Sequence, residues 1–201
     1  MTYINEGDFT IMVLTFIVLC VAVILALCLY GMYCKLITLK NKVKEAMSGI
    51  DVQLNKRYSL IPNILTIANK FMEHERELFQ SITELRSQAS SIRSTQDTIA
   101  KKIDLDNQIA AKMGQLMVNV ENYPQLKSDQ TMMNATQTYA EVEEHIAAAR
   151  RFYNSAVNEI NNAIEIFPSS IIAGMLGMKI YPFFEANEAA RQEINAANYF
   201  N

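Results

Sequence analysis

Apolar and polar residues alternate along this chain with a helical rhythm, except in one stretch where charge drops out altogether. From Phe9 to Tyr33 (FTIMVLTFIVLCVAVILALCLYGMY) no residue is charged, with Asp8 just before it and Lys35 just after. About 20 apolar residues at 1.5 Å rise cross the hydrocarbon core of a bilayer. A soluble helix of this length would carry a polar stripe, and this one has none. The pattern therefore predicts a single transmembrane helix. Phe9, Tyr30 and Tyr33 stand at its ends, where aromatic rings favour the headgroup layer. The preceding residues, MTYINEGD, hold two acids and no Lys or Arg, unlike the basic start of a removable signal peptide.

Beyond Lys35 the rhythm becomes amphipathic. Val43, Met47, Ile50, Leu54, Tyr58 and Ile61 recur at three- and four-residue steps, the period of a helix with one buried face. That helix continues the span and is expected to end at Pro62, because the residue before a proline avoids helical geometry. A second helix is expected from Pro62 to about Ile92. The Ser-rich stretch SQASSIRSTQD is read as a turn, with Ser94 or Thr95 capping the third helix. The third helix covers about Asp97 to Asn122, on Ile99, Ile103, Ile109, Met113, Leu116 and Val120. Residues 122–128 form a loop, and a fourth helix keeps its period from Met132 to Phe167 until Pro168 stops it. No strand-like alternation occurs. The predicted fold is all-α: an N-terminal transmembrane helix continuous with a long antiparallel four-helix bundle. The expected organisation is a short extracellular N-terminus (1–8), the span (9–33), a cytoplasmic bundle (34–167) and a membrane-proximal C-terminal segment (168–201).

Charge layout sets the expected orientation. Lys35, Lys40, Lys42 and Lys44 follow the span and no basic residue precedes it, so the positive-inside rule puts the N-terminus outside and the bulk of the chain in the cytoplasm. Beyond Arg57 there are 12 Lys or Arg against 17 Asp or Glu, which argues against a nucleic-acid footprint. Cys20 and Cys28 lie in the span and Cys34 at its edge; with none further on, a disulfide framework and cysteine-ligated zinc are excluded from the domain.

Catalytic chemistry finds few candidates. Di-iron bundles need Glu-x-x-His on two helices. Here His74 is followed by Glu77, the reverse order, and His145 follows Glu143 and Glu144 at the wrong offsets. No nucleophile sits on a Gly-rich elbow, and no Gly-rich phosphate loop is present. The expectation is no enzyme activity, no cofactor, no metal and no small-molecule substrate.

Four motifs carry a resemblance. VKEAMSGIDVQLNKRYSLIPNI, ENYPQLKSDQ, EEHIAAARRFYNSAVNEIN and FPSSIIAGMLGMKIYPFFEA resemble, in order and spacing, the successive signatures of the LemA family, over Val43 to Ala186. Met47 stands where that family carries Trp. The resemblance implies an N-terminal anchor, an extracellular N-terminus and a cytoplasmic four-helix bundle with no known catalytic activity, in the bacterial cell (inner) membrane. Two polar sets match the family's motifs: Asp51, Gln53, Arg57, Tyr58 and Asn63 around the first turn, and Arg150, Tyr153, Asn154 and Asn161 on the fourth helix. Asp51, Arg57, Asn63, Arg150 and Asn154 are candidates for an interaction surface. The competing reading, which we prefer, is that Arg–carboxylate and Asn–backbone bonds fix the register of a bundle that Leu and Ile alone would leave loose.

The apolar segment after Pro168 is too short to span a bilayer. At 1.5 Å per residue the fourth helix is about 55 Å long, against about 38 Å for the cytoplasmic part of the first, so its end can return to the headgroups. Ile171, Ile172, Met175, Leu176, Phe183 and Phe184 are therefore candidates for a membrane-interface patch; the alternative is a short helix and turn folded over the bundle's open end. The expected partners are the lipid bilayer and either further copies of the chain or other membrane proteins. Two roles are compatible with all this: a scaffold or adaptor, and a self-assembling protein that shapes the bilayer.

Overall fold

A computed structural model describes residues 6–184, with side-chain surroundings from residue 10 onward. The first five residues of the expected extracellular terminus, the side chain of Phe9 and residues 185–201 of the expected C-terminal segment lie outside the described residues. Every element is helical: α1 (Glu6–Ala68), α2 (Arg76–Ser91), α3 (Ile99–Val120), α4 (Pro124–Lys127), α5 (Gln130–Glu165) and α6 (Ser169–Met175). No strand occurs among the described residues. The chain divides into two compact units, one of Met1–Lys42 with Asn158–Ile180, the other of Val43–Val157 with Tyr181–Asn201.

In the first unit, α1 carries the one helical stretch among the described residues that is long and apolar enough to cross a membrane. Apart from half-buried Met32, its large side chains between residues 11 and 33 are 42–67% exposed, on every face of the helix. Such surface has no protein partner, and water would not stabilise it. From Leu36 onward a stripe begins to bury. Lys42 Nζ bonds both carboxylate oxygens of Glu159 on α5, at 2.7 and 2.8 Å. After α5, Phe167–Pro168 is a cis peptide and α6 follows. Gly177, at φ +61°, ends α6 in a Schellman arrangement: its N–H reaches Gly174 O and that of Met178 reaches Ala173 O, both at 3.0 Å. Glycine enters this left-handed conformation without the Cβ penalty.

The second unit is built from residues 43–68 of α1 together with α2, α3, α4 and most of α5. Ile50, Leu54, Ile61, Ile82, Ile109 and Tyr153 are among its fully buried side chains, and α2 packs on α3. The expected stop at Pro62 is corrected: α1 runs six residues past it, to Ala68. Proline has no N–H to give the carbonyl four residues back, here that of Tyr58, and Arg86 Nε of α2 donates to that oxygen instead at 2.7 Å. Ile61, Ile64 and Ala68 on either side are buried, so packing holds the last turns in line. The second helix consequently starts at Arg76 rather than Pro62, after a turn through residues 69–75. The capping expectation is corrected too. Thr98 precedes α3 and makes no side-chain cap bond; Ser94 Oγ donates to Asp51 of α1, and Thr95 N–H to Thr98 Oγ1. The expected loop at 122–128 holds the short α4, started by Pro124, whose fixed φ suits a first helical position. Asp129 Oδ1 then accepts the Met132 N–H at 2.9 Å, capping α5.

Candidate functional site

The second unit has ionised groups at its centre. Arg57 sits on α1 at the buried face between Leu54 and Ile61, fully buried. Its Nη2 bonds the carboxylate of Asp106 on α3 and approaches the Asp106 carbonyl at 3.2 Å. Its Nη1 donates to Glu143 Oε1 on α5 at 2.9 Å. Arg150, two turns further along α5, bonds the second oxygen of Asp106. Asp106 is itself fully buried, so its carboxylate is shared between two guanidinium groups from two different helices. The set of Arg57, Arg150, Asp106 and Glu143 is formally neutral. The Nε atoms of both arginines are buried without a partner. Tyr58 and Tyr139 flank the cluster, and burial holds their phenols above the ordinary tyrosine range. Burial, reinforced by the charge of Arg57, lowers the pKa of Arg150.

A second pair lies on α3 and α1. Lys102 Nζ, almost fully buried, bonds Asp51 Oδ1 at 2.7 Å, the same oxygen that accepts from Ser94. A third feature is the extended segment 181–184. Asn154 of α5 grips it by the backbone: its Nδ2 donates to Phe184 O at 2.9 Å and its Oδ1 accepts the Phe184 N–H at 2.7 Å. The Phe184 ring meets Tyr153 edge to face, with centroids 6.2 Å apart, and the Arg150 guanidinium lies 4.5 Å from its centroid. Tyr153 donates its hydroxyl to Pro182 O at 3.1 Å, and burial pushes that phenol up to about 12.

The interaction candidates therefore fall into different places. Arg57 and Arg150 meet at Asp106, Asp51 belongs to the Lys102 pair, Asn154 holds the extended segment, and Asn63 is exposed apart from all of them. Among the interface candidates, Phe184 is corrected: it is buried against Tyr153 and Arg150, where an aromatic ring gains both an edge contact and a cation above its face. Ile171, Met175, Leu176 and Phe183 are exposed and Ile172 is half-buried. Sequence reasoning missed Asp106, Glu143, Lys102 and Arg86. Asp106 was findable: it lies three residues after Ile103 and three before Ile109, inside the apolar stripe of α3. His74 and His145 are both exposed, although His145 follows Glu143 by only two residues on α5. Among the described residues no three of His, Cys, Asp and Glu come together as a metal site.

The model of the LemA family matches residues 46–197. The chain belongs to the LemA family. Protein LemA of Metamycoplasma hominis is 24% identical, with 81% of this chain and 73% of that protein covered. Magnetosome protein MamQ 2 of Paramagnetospirillum magneticum is 23% identical, covering 84% of this chain and 70% of the relative. Magnetosome protein MamQ of Magnetospirillum gryphiswaldense is 20% identical with the same coverage. The LemA match takes in Arg57, Asp106, Glu143, Arg150 and Asn154, and begins after the apolar stretch of α1.

Proposed function

We propose that this LemA-family chain is a single-pass membrane-anchored scaffold or adaptor without catalytic activity, whose cytoplasmic part is an antiparallel bundle of α1, α2, α3 and α5. The observation that carries the reading is the make-up of α1. It is one helix whose first half exposes apolar side chains on all sides and whose second half buries a regular stripe. A lipid-embedded first half removes the exposed apolar surface from water, and the same helix continues into the bundle. The cross-helix bonds of Arg57, Arg86 and Arg150 support the bundle and favour fixed register over partner recognition for these residues. The lysines after the span support an N-terminus outside and a bundle in the cytoplasm of a bacterial cell. The exposed Ile171, Met175, Leu176 and Phe183, with Ile172, supply the membrane-facing patch, and the lipid bilayer and other membrane-bound chains are the partners. Protease added to intact cells should leave the bundle whole, and inside-out vesicles should lose it; digestion in intact cells would overturn the orientation. Alkaline carbonate should fail to extract the chain.

The likeness to magnetosome proteins favours a second reading, in which copies associate laterally and organise the bilayer. Negative-stain images of detergent-solubilised protein separate the two, since a scaffold gives small particles and an assembling protein gives extended arrays.

A further inference from the structure

The first unit holds a cleft of about 470 Å³. One wall is Met32, Lys35, Leu36 and Leu39 of α1; the other is Glu159, Asn162 and Ala163 of α5 with Ile166 just after its end, and Pro168 and Ser169 lie beside it. Both walls follow the i, i+3, i+4, i+7 spacing of a single helix face. At one end Lys42 ties the two walls together through Glu159. That ion pair occupies the one acidic group of the lining, so no free carboxylate faces the cleft. Met32 lies in the last turn of the apolar stretch, and Ile166 is 60% exposed. Lys35 is exposed and has no carboxylate partner among the described residues.

We infer that this cleft seats one anionic phospholipid of the surrounding leaflet, its phosphate against Lys35 and part of an acyl chain along Met32, Leu36 and Ile166. The inference rests on residues 9–33 being a span. Three features select this occupant. The lining is amphipathic in the manner of a lipid, a single cation beside an apolar trough. Its position places the cation just beyond the end of the hydrocarbon-crossing stretch, at headgroup depth. Its volume lies within the range of ligand pockets, roughly 300–1,000 Å³, enough for a glycerophosphate head and the start of one chain while the rest stays in the bilayer. Lys40 and Lys44, exposed on the same helix without carboxylate partners among the described residues, raise the local concentration of anionic over zwitterionic lipid.

The test uses the full chain in nanodiscs of phosphatidylcholine doped with phosphatidylglycerol that carries a photoreactive acyl chain. Labelling should map to the two cleft walls. Lys35→Gln should lower it about fivefold, the effect of one lysine at an anionic surface, and Lys44→Gln, outside the lining, should lower it far less. Ala163→Trp, which fills the trough, should abolish wall labelling. Ile166→Ser, at an exposed position, repeats that test without touching the fold. Equal losses from Lys35→Gln and Lys44→Gln would mean a diffuse basic collar and would overturn the site. So would unchanged labelling in both Ala163→Trp and Ile166→Ser, or chain-to-chain adducts in place of lipid adducts, which would make a second copy the occupant. A chain that alkaline carbonate strips from membranes would defeat the span itself; one that resists carbonate but shows no wall labelling defeats only the lipid site.

Discussion

Asp106→Asn isolates the electrostatics of the buried cluster, because the amide matches the carboxylate in shape and opens no cavity. In the native set two guanidinium groups face two carboxylates. The substitution leaves one uncompensated positive charge, and neither Arg57 nor Asp106 has any exposed side-chain surface to let water in. Arg57 keeps Glu143 at 2.9 Å and the backbone carbonyl at 3.2 Å, and the asparagine oxygen still accepts one bond. The expected loss therefore sits at the low end of the ~3–5 kcal/mol seen when one partner of a buried pair is removed. For a domain of this size ~1 kcal/mol moves the melting temperature ~2–4 °C, so the midpoint should fall by about 10 °C. Far-UV circular dichroism of the full chain in detergent measures it. Arg57→Met combined with Asp106→Leu should be less damaging than Asp106→Asn alone, since the double change removes both fully buried charges and leaves Glu143 and Arg150, which are opposite in sign and partly exposed. If Asp106→Asn melts within about 1 °C of the parent, the carboxylate is effectively solvated and the register argument fails.

Asn154→Ala strands the N–H and C=O of buried Phe184, at a penalty of ~1–3 kcal/mol; amide exchange at Phe184 should accelerate about tenfold or more, and unchanged protection would contradict the clamp. Arg86→Leu should destabilise the parent but matter much less beside Pro62→Ala, whose restored N–H satisfies the Tyr58 carbonyl; additive effects in that double-mutant cycle would disprove the compensation. Burial raises the phenols of Tyr58, Tyr139 and Tyr153, so the folded state holds their protons more tightly than the unfolded state does. Stability should then be level with respect to these groups below about pH 10, the ordinary tyrosine value, and fall as pH rises beyond it. Tyrosinate absorbance should show a delayed fraction in the folded protein, and ordinary ionisation of all nine tyrosines would refute this.

Period and punctuation made most of the helices legible. The uncharged run marked the exposed half of α1, and the three–four spacing carried α5 from Gln130 to Glu165, within two residues of expectation at each end. What escaped were features decided by a distant partner. Pro62 looked like a terminus because local rules see only its own backbone, while the group that replaces its missing donor sits on another helix. Ser94 looked like a cap because its competing partner, Asp51, is 43 residues away. Phe184 looked like part of an exposed apolar run, and only the placement of Asn154 and Tyr153 shows it as an inward-facing ring. Asp106 was hidden differently: an acid within an apolar stripe is usually read as noise, yet here it is the residue on which two arginines converge.

The capture of the Tyr58 carbonyl by Arg86 also has a bearing on the order of assembly. On a growing polypeptide, residues 62–68 emerge before the helix that completes them. Until α2 docks, the proline leaves that turn short of one backbone bond, and the Tyr58 carbonyl lacks the donor that Arg86 later supplies. The smallest self-sufficient piece of this region is therefore the pair of helices, with the final turns of the first maturing only when the second folds back upon it.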